Sequence, residues 1–134
     1  MVSMDWITKN IAIGNVHSAK NLNGQFEMVL CLTGCCKDVE DEDDVYREII
    51  PLIDGPGNSI EKVKLAVKFI QEAVEADERL LIHCNAGHSR STSIVALWMM
   101  MHMGMTKGEA FKAISLKRTV FLSPGIEDLF KVLS

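Results

Sequence analysis

Nine consecutive residues, His83-Cys84-Asn85-Ala86-Gly87-His88-Ser89-Arg90-Ser91, set a sulfur nucleophile and a guanidinium at the two ends of a short polar and glycine-containing run. The chemistry this suits is attack of a thiolate on a phosphate ester. A free cysteine titrates near pH ~8.5, so at neutral pH it needs help to ionise. A ring of backbone N–H groups and a helix N-terminus supply that help by stabilising the thiolate. The same N–H groups bind phosphate oxygens once substrate arrives. On this reading Cys84 is the nucleophile, and Asn85, Ala86, Gly87, His88 and Ser89 form the cradle. Gly87 permits the positive φ that such a ring needs. Arg90 offers a planar fork of donors matched to two phosphate oxygens, which a lysine cannot reproduce. Ser91 can donate a hydrogen bond to the sulfur as it leaves. His83 points away from the anion if the strand alternates, so it is expected to orient the loop and not to act as a base. A merely buried cysteine beside a solvated arginine would leave the strand, glycine loop and helix around them unexplained.

Those flanking elements must hold the loop. The apolar residues 80–82 precede it and the apolar stretch 94–101 follows, which reads as a strand, a tight loop and a helix. Strands are expected at residues 11–13, 28–32, 45–52 and 80–84. Helical patterns lie between them, predicting an α/β fold. It would be one domain with a central, mostly parallel sheet flanked by helices, and the phosphate-binding loop between a strand and the central helix. The pattern predicts a helix over residues 59–76, started by Asn58 with Glu61 as a capping box. Its apolar face would be Ile60, Val63, Val67, Ile70 and Val74. Residues 91–102 are apolar almost all round, as a buried helix is. Met99, Met100, Met101, Met103 and Met105 are expected to fill core. Gly104 should end that helix, and Thr106 with Glu109 should begin the next. Ser123 and Pro124 are expected as N-cap and first residue of a last helix reaching about residue 133.

Expulsion of an alkoxide or phenoxide needs a proton, and a positioned carboxylic acid accelerates that step by up to ~10⁴-fold. Asp54 follows Ile53 and opens the glycine-containing stretch Gly55-Pro56-Gly57-Asn58, thirty residues before Cys84. Two glycines would let this loop close on substrate and reopen. Asp-Gly also starts ordinary turns, so residue types alone leave Asp54 between the two roles. Residues 38–44 hold six acids in seven positions. The run from Asp38 to Asp44 reads as a solvated loop or as a docking element, and as a weaker source of the acid, since it precedes a strand.

The chain has 134 residues, 48% of them hydrophobic and 24% charged, enough for one domain (residues 1–134) with a real core. Net charge is −4 with no basic stripe, which disfavours nucleic acid or anionic lipid as partner. The first ten residues do not pair a basic stretch with an apolar one, and no apolar run is long enough to span a membrane. A cytoplasmic, reduced, monomeric protein is expected, needing no cofactor and no metal. Four cysteines without regular spacing do not read as a disulfide framework. Cys31 is expected in the core. Cys35 and Cys36 follow the end of a strand, where either one, or Cys31, can be asked whether it traps Cys84 as a disulfide. They do not complete a metal site.

The motif His83-Cys84-x-Ala86-Gly87-x-Ser89-Arg90-Ser91 resembles the signature loop of the cysteine-dependent protein phosphatases, nearest the dual-specificity branch. The resemblance extends along the chain. Residues 11–15 and Asn21-Leu22 are similar to the family's opening strand and first short helix, and residues 26–33 to its next strand. Pro51-Leu52-Ile53-Asp54 is similar to its general-acid loop. Thr106, Ala110, Arg118, Pro124 and Leu129 fall where its last helices carry similar residues. The resemblance implies that Asp54 is the proton donor, that a phosphocysteine intermediate forms, and that phosphorylated proteins are the substrates. With eight aromatic residues in all, little of the chain is left for a deep recognition insert. A shallow pocket is expected, taking phosphotyrosine and also phosphoserine and phosphothreonine. A catalytically silent phosphate-binding module would have no use for Cys84, Arg90 and Asp54 together. A phosphoinositide or RNA 5′-triphosphate phosphatase would favour lysines in the cradle, and the cradle has none.

Overall fold

Five strands form one sheet in a computed structural model that describes residues 3–34 and 45–134. They are β1 (Met4–Trp6), β2 (Ile11–Gly14), β3 (Met28–Cys31), β4 (Tyr46–Ile49) and β5 (Leu80–His83), in the order β1-β2-β5-β3-β4. β2, β5, β3 and β4 run parallel, and β1 alone pairs antiparallel, on the edge beside β2. The parallel part is the sheet expected from the alternation of strand and helix. β1 has only three residues, half-buried, and carries no periodic signal. In the parallel register Gly14, His83 and Cys31 lie side by side at the carboxyl ends of three neighbouring strands.

Successive residues of each strand face opposite layers. Ile11, Ile13, Leu30, Leu80 and Ile82 pack into the larger core, under the long helices. Ala12, Val29, Cys31 and Leu81 pack into a smaller one with Ala19, Leu22 and Phe26. Both faces are covered, which is why these strands read as continuous apolar runs. Cys31 is fully buried, as expected of a small core residue. Cys35, Cys36 and the acidic run 38–44 lie outside the described residues.

Helix α1 (Val16–Lys20) is opened by Asn15, whose side chain accepts from the Ser18 amide at 2.9 Å. It ends at Asn21, so the first short helix lies before Asn21-Leu22 and not at it. Helix α2 (Ile60–Glu75) buries Val63, Ala66, Val67, Phe69, Ile70 and Ala73, while Ile60 is 38% exposed. Its N-cap is Ser59, not Asn58. Helix α3 (Arg90–His102) is buried from Ser91 to Met99, the central helix the composition predicted. Met101 and Met103 near its end are exposed by 44% and 48%, so only part of the methionine run fills core. Gly104 follows the helix at φ +68°. Helix α4 (Lys107–Ser115) begins with the expected reciprocal box: the Glu109 amide donates to Thr106 Oγ1 at 3.1 Å, and the Thr106 amide to Glu109 Oε1 at 2.9 Å. The last element is a 3₁₀ helix (Ile126–Leu133) preceded by Gly125 at φ +84°. Ser123 and Pro124 therefore do not cap it as expected; they belong to the strap before it.

β4 is shorter than the predicted 45–52. Pro51 has no N–H to give the ladder. The chain nevertheless stays beside β3, with the Ile50 amide on Cys31 O at 2.9 Å and the Leu52 amide on Leu32 O at 3.0 Å. That continuation brings residue 54 to the carboxyl edge of the sheet.

Candidate active site

The carboxyl edge of a parallel sheet is where loops from several strands converge, and the residues picked out by chemistry meet there. Cys84 leaves β5 and is 3% exposed. Residues 84–89 turn back on themselves and enter α3 at Arg90. Gly87 takes φ +75°, and a Cβ there would lie 2.5 Å from Gly14 O and 2.6 Å from Arg118 Nη2. Both the torsion and the close approach to β2 demand glycine.

What shapes the loop is the fate of its carbonyl oxygens. Asn85 O accepts from the Val16 amide at 3.2 Å. Ala86 O accepts from Arg118 Nη2 at 3.0 Å, and Gly87 O from Arg118 Nε at 2.8 Å. His88 O accepts from the Phe121 amide at 3.0 Å and from Thr92 Oγ1 at 2.8 Å. Ser89 O accepts from the Ser93 amide at 2.9 Å and from Thr92 Oγ1 at 3.0 Å. With every carbonyl from 85 to 89 turned outward, the amides are left to the concave side. None of them, from Asn85 to Arg90, donates to an acceptor among the described residues. Helix α3 also begins without a side-chain cap, so its first amides stay open to a ligand.

Asp54, Cys84, Asn85, Ala86, His88, Ser89, Arg90, Phe121 and Ser123 line a cleft of about 150 Å³ over this concave side. Gly87 makes the turn without lining the cleft. A wider groove of about 280 Å³ runs along α2 to Met101 and His102, but no nucleophile or cradle lies in it. Arg90 is fixed through Nη1, which donates to Leu52 O at 3.2 Å and Leu32 O at 3.4 Å. Its Nε is buried and has no partner among the described residues. An unsatisfied buried donor is costly, and an oxyanion in the cleft is a suitable acceptor. Ser91 Oγ lies 3.3 Å from Cys84 Sγ. His83 is fully buried in the sheet and does not line the cleft.

Asp54 is exposed on the rim, and its Oδ2 accepts from Ser123 Oγ at 2.7 Å. The stretch after it, expected to be loosely held, is braced instead. Asn58, 3% exposed, accepts from the Ile53 amide at 2.7 Å and donates to Ile53 O at 2.9 Å and Gly55 O at 3.3 Å. Its side chain therefore ties the loop and is not spent on capping α2. The Gly57 amide donates to Asp128 Oδ2 at 2.8 Å. That bond holds the Asp128 carboxyl below the usual aspartate range, with the Lys131 ammonium adding to the effect.

Of the residues singled out from sequence, Cys84, Asn85, Ala86, His88, Ser89, Arg90 and Asp54 line the cleft, whereas the contacts that hold the loop were not foreseen. Arg118 entered only through resemblance, without a role. Its side chain is 2% exposed and forms an ion pair with Asp5 at 3.0 Å. Asp5 and Phe121 carry no motif, and Asn58 and Ser123 carry cap signals that pointed to helix starts and not to this loop.

The architecture is thus an α/β sheet with a cysteine–arginine anion loop between its central strand and its central helix. The chain belongs to the dual specificity phosphatase family: the model of that family's catalytic domain matches residues 12–132. It is 29% identical over 119 residues to dual specificity protein phosphatase 1 of Arabidopsis thaliana, covering 85% of this chain and 60% of that protein. The chain therefore spans about 60% of the length of this curated relative. Among solved structures, Tk-PTP in its active form superposes with a TM-score of 0.77 at 23% identity, covering 98% of this chain and 93% of that one. Human DUSP28 superposes with a TM-score of 0.82 at 18% identity, covering 96% and 91%. At these identities the structures speak for the fold.

Proposed function

We propose that residues 1–134 act as one catalytic domain that hydrolyses phosphate monoesters on proteins through a phosphocysteine intermediate, with phosphotyrosine as substrate and phosphoserine and phosphothreonine as further ones. What carries the reading is the loop itself. The five carbonyls of residues 85–89 are taken by donors outside the loop, its amides have no acceptor among the described residues, and neither has the buried Arg90 Nε.

In the first step Cys84 Sγ attacks phosphorus while the bond to the ester oxygen breaks. The loop amides and Arg90 hold the three remaining oxygens, whose charge is greatest in the transition state. Asp54 gives its proton to the departing oxygen. In the second step water attacks the phosphocysteine and passes a proton to Asp54. The S–P bond breaks, and Ser91 Oγ, already 3.3 Å from the sulfur, hydrogen-bonds the emerging thiolate. His83 supports the loop from within the sheet. The chemistry needs no cofactor and no metal, because the amides and Arg90 supply the positive potential.

The net charge of −4 and the absence of lysine from the cradle support phosphorylated protein as partner over nucleic acid or phosphoinositide. Among the described residues no helix is long and apolar enough to cross a membrane. We take the domain to work as a monomer in the reducing cytoplasm, where a thiolate survives.

The test is a pair of substitutions assayed with phosphotyrosine peptide in the presence of EDTA. Cys84→Ser should abolish turnover and still bind vanadate, because serine is barely ionised and the cradle is intact. Arg90→Lys should lose both binding and rate, since a point cation cannot span two oxygens. Turnover by the serine variant, or a rate that EDTA removes and a divalent metal restores, overturns the proposal.

A further inference from the structure

We infer that Phe121 is the wall against which the aromatic ring of the substrate packs, so that this cleft prefers aryl phosphates, phosphotyrosine among protein residues, over the alkyl phosphates of phosphoserine and phosphothreonine. The inference rests on the phosphatase reading and names the substrate class within it.

Of the nine described side chains that line the cleft, only those of Ala86 and Phe121 are apolar, and a methyl group offers little surface. Among the described residues of the cleft, apolar contact with a substrate therefore falls to Phe121. Phe121 is 72% exposed although it belongs to a cleft wall. Single exposed apolar side chains are ordinary on surfaces. Phe121 differs in how it is held. Its amide donates to His88 O at 3.0 Å, and two residues on the Ser123 amide donates to Ser89 Oγ at 3.0 Å. The backbone on both sides of Leu122 is thus tied to the phosphate loop, and the ring's attachment point is fixed relative to the phosphate it would accompany. Little ordering remains to be done on binding.

The direction of the substrate follows from Asp54. The ester oxygen must come within reach of that carboxyl, so the group it carries leaves the cleft across the rim formed by Asp54, Ser123 and Phe121. A phosphoserine places one methylene there. A phosphotyrosine places a ring there, and two aromatic rings attract beyond simple area burial.

The experiment uses the Cys84→Ser chain, which binds without turning over, and titrates inorganic phosphate, ethyl phosphate and phenyl phosphate by calorimetry. Phe121→Ala should weaken phenyl phosphate by roughly three- to ten-fold, the range an aromatic pair contributes, while moving inorganic phosphate far less. Phe121→Trp should restore phenyl phosphate. In the active enzyme the ratio of kcat/KM for phosphotyrosine peptide to that for phosphoserine peptide should fall by the same factor in Phe121→Ala. Equal weakening of all three ligands would make Phe121 a prop of the loop, and no change would make it a bystander; either result overturns the inference. Failure of Cys84→Ser to bind any of the three phosphates would instead bring down the phosphatase reading beneath it.

Discussion

Arg118→Met removes the donors behind the phosphate loop while keeping most of the side chain's volume, so its cost can be worked from the contacts. Nε and Nη2 hold Gly87 O at 2.8 Å and Ala86 O at 3.0 Å, and Nη1 holds Asp5 Oδ2 at 3.0 Å. A hydrogen bond to a charged group contributes ~1.5–3 kcal/mol, and a buried acceptor left unpaired costs ~1–3 kcal/mol. Gly87 is buried, so its carbonyl bears the full penalty, whereas Ala86 is exposed and its carbonyl can turn to water. The expected loss is therefore about 3 kcal/mol, within a range of ~2–5. The other end of the ion pair behaves differently. Arg118 is 2% exposed but Asp5 is 43% exposed, so Asp5→Asn gives up a solvent-screened interaction of ~0–1 kcal/mol. Urea unfolding of both variants, with slopes compared to exclude a changed unfolded state, measures the asymmetry. Vanadate binding and turnover should then be measured at a temperature where both are folded. Arg118→Met should lose up to ~100-fold in turnover, as misplaced catalytic groups do, and Asp5→Asn little. A cost below ~1 kcal/mol for Arg118→Met, or equal costs for the two variants, would refute the argument that the loop carbonyls depend on Arg118.

Three further outcomes follow from the same geometry. Asp54→Asn should slow phosphotyrosine hydrolysis strongly and an activated aryl phosphate much less; Ser123→Ala should show the same dependence on leaving group at ~2- to 10-fold, as an exposed hydrogen bond allows. With Asp54→Asn already present, Ser123→Ala should add nothing; an undiminished effect there would detach Ser123 from the acid. Gly87→Ala should destabilise by ~1–3 kcal/mol and abolish vanadate binding, because φ +75° and a Cβ 2.5 Å from Gly14 O admit no side chain; a variant with normal binding would show that the loop has another accessible shape. The Gly57–Asp128 bond should be fully present above the ordinary aspartate range and lost as pH falls below it, since the folded carboxyl titrates lower than the unfolded one. The Gly57 amide proton shift reports this directly by NMR, and a shift insensitive to acid, or unaltered by Asp128→Asn, would count against the bond.

The sequence was most informative where chemistry and local geometry coincide. Cys84, Gly87, Arg90 and Ser91 lie within eight consecutive residues between a strand and a helix, so their residue types and spacing are read together. The parallel strands and α3 were legible because burial on both faces leaves unbroken apolar runs, and the α4 cap because Thr106 and Glu109 satisfy each other locally. Where local signals failed, a distant partner had claimed the residue. Asn58 has the sequence of a cap but is spent on Ile53 and Gly55. Ser123 before Pro124 has the sequence of a cap as well, but it reaches Asp54, 69 positions away. Asp5 and Arg118, 113 positions apart, meet only because β1 pairs with β2 beside the loop. Such bonds leave no periodic trace, since each needs only one suitable donor or acceptor at a place that the chain path decides. The cysteine–arginine loop is therefore written in one stretch of sequence, and what holds it in shape arises only when the sheet brings separate segments of the chain to its carboxyl edge.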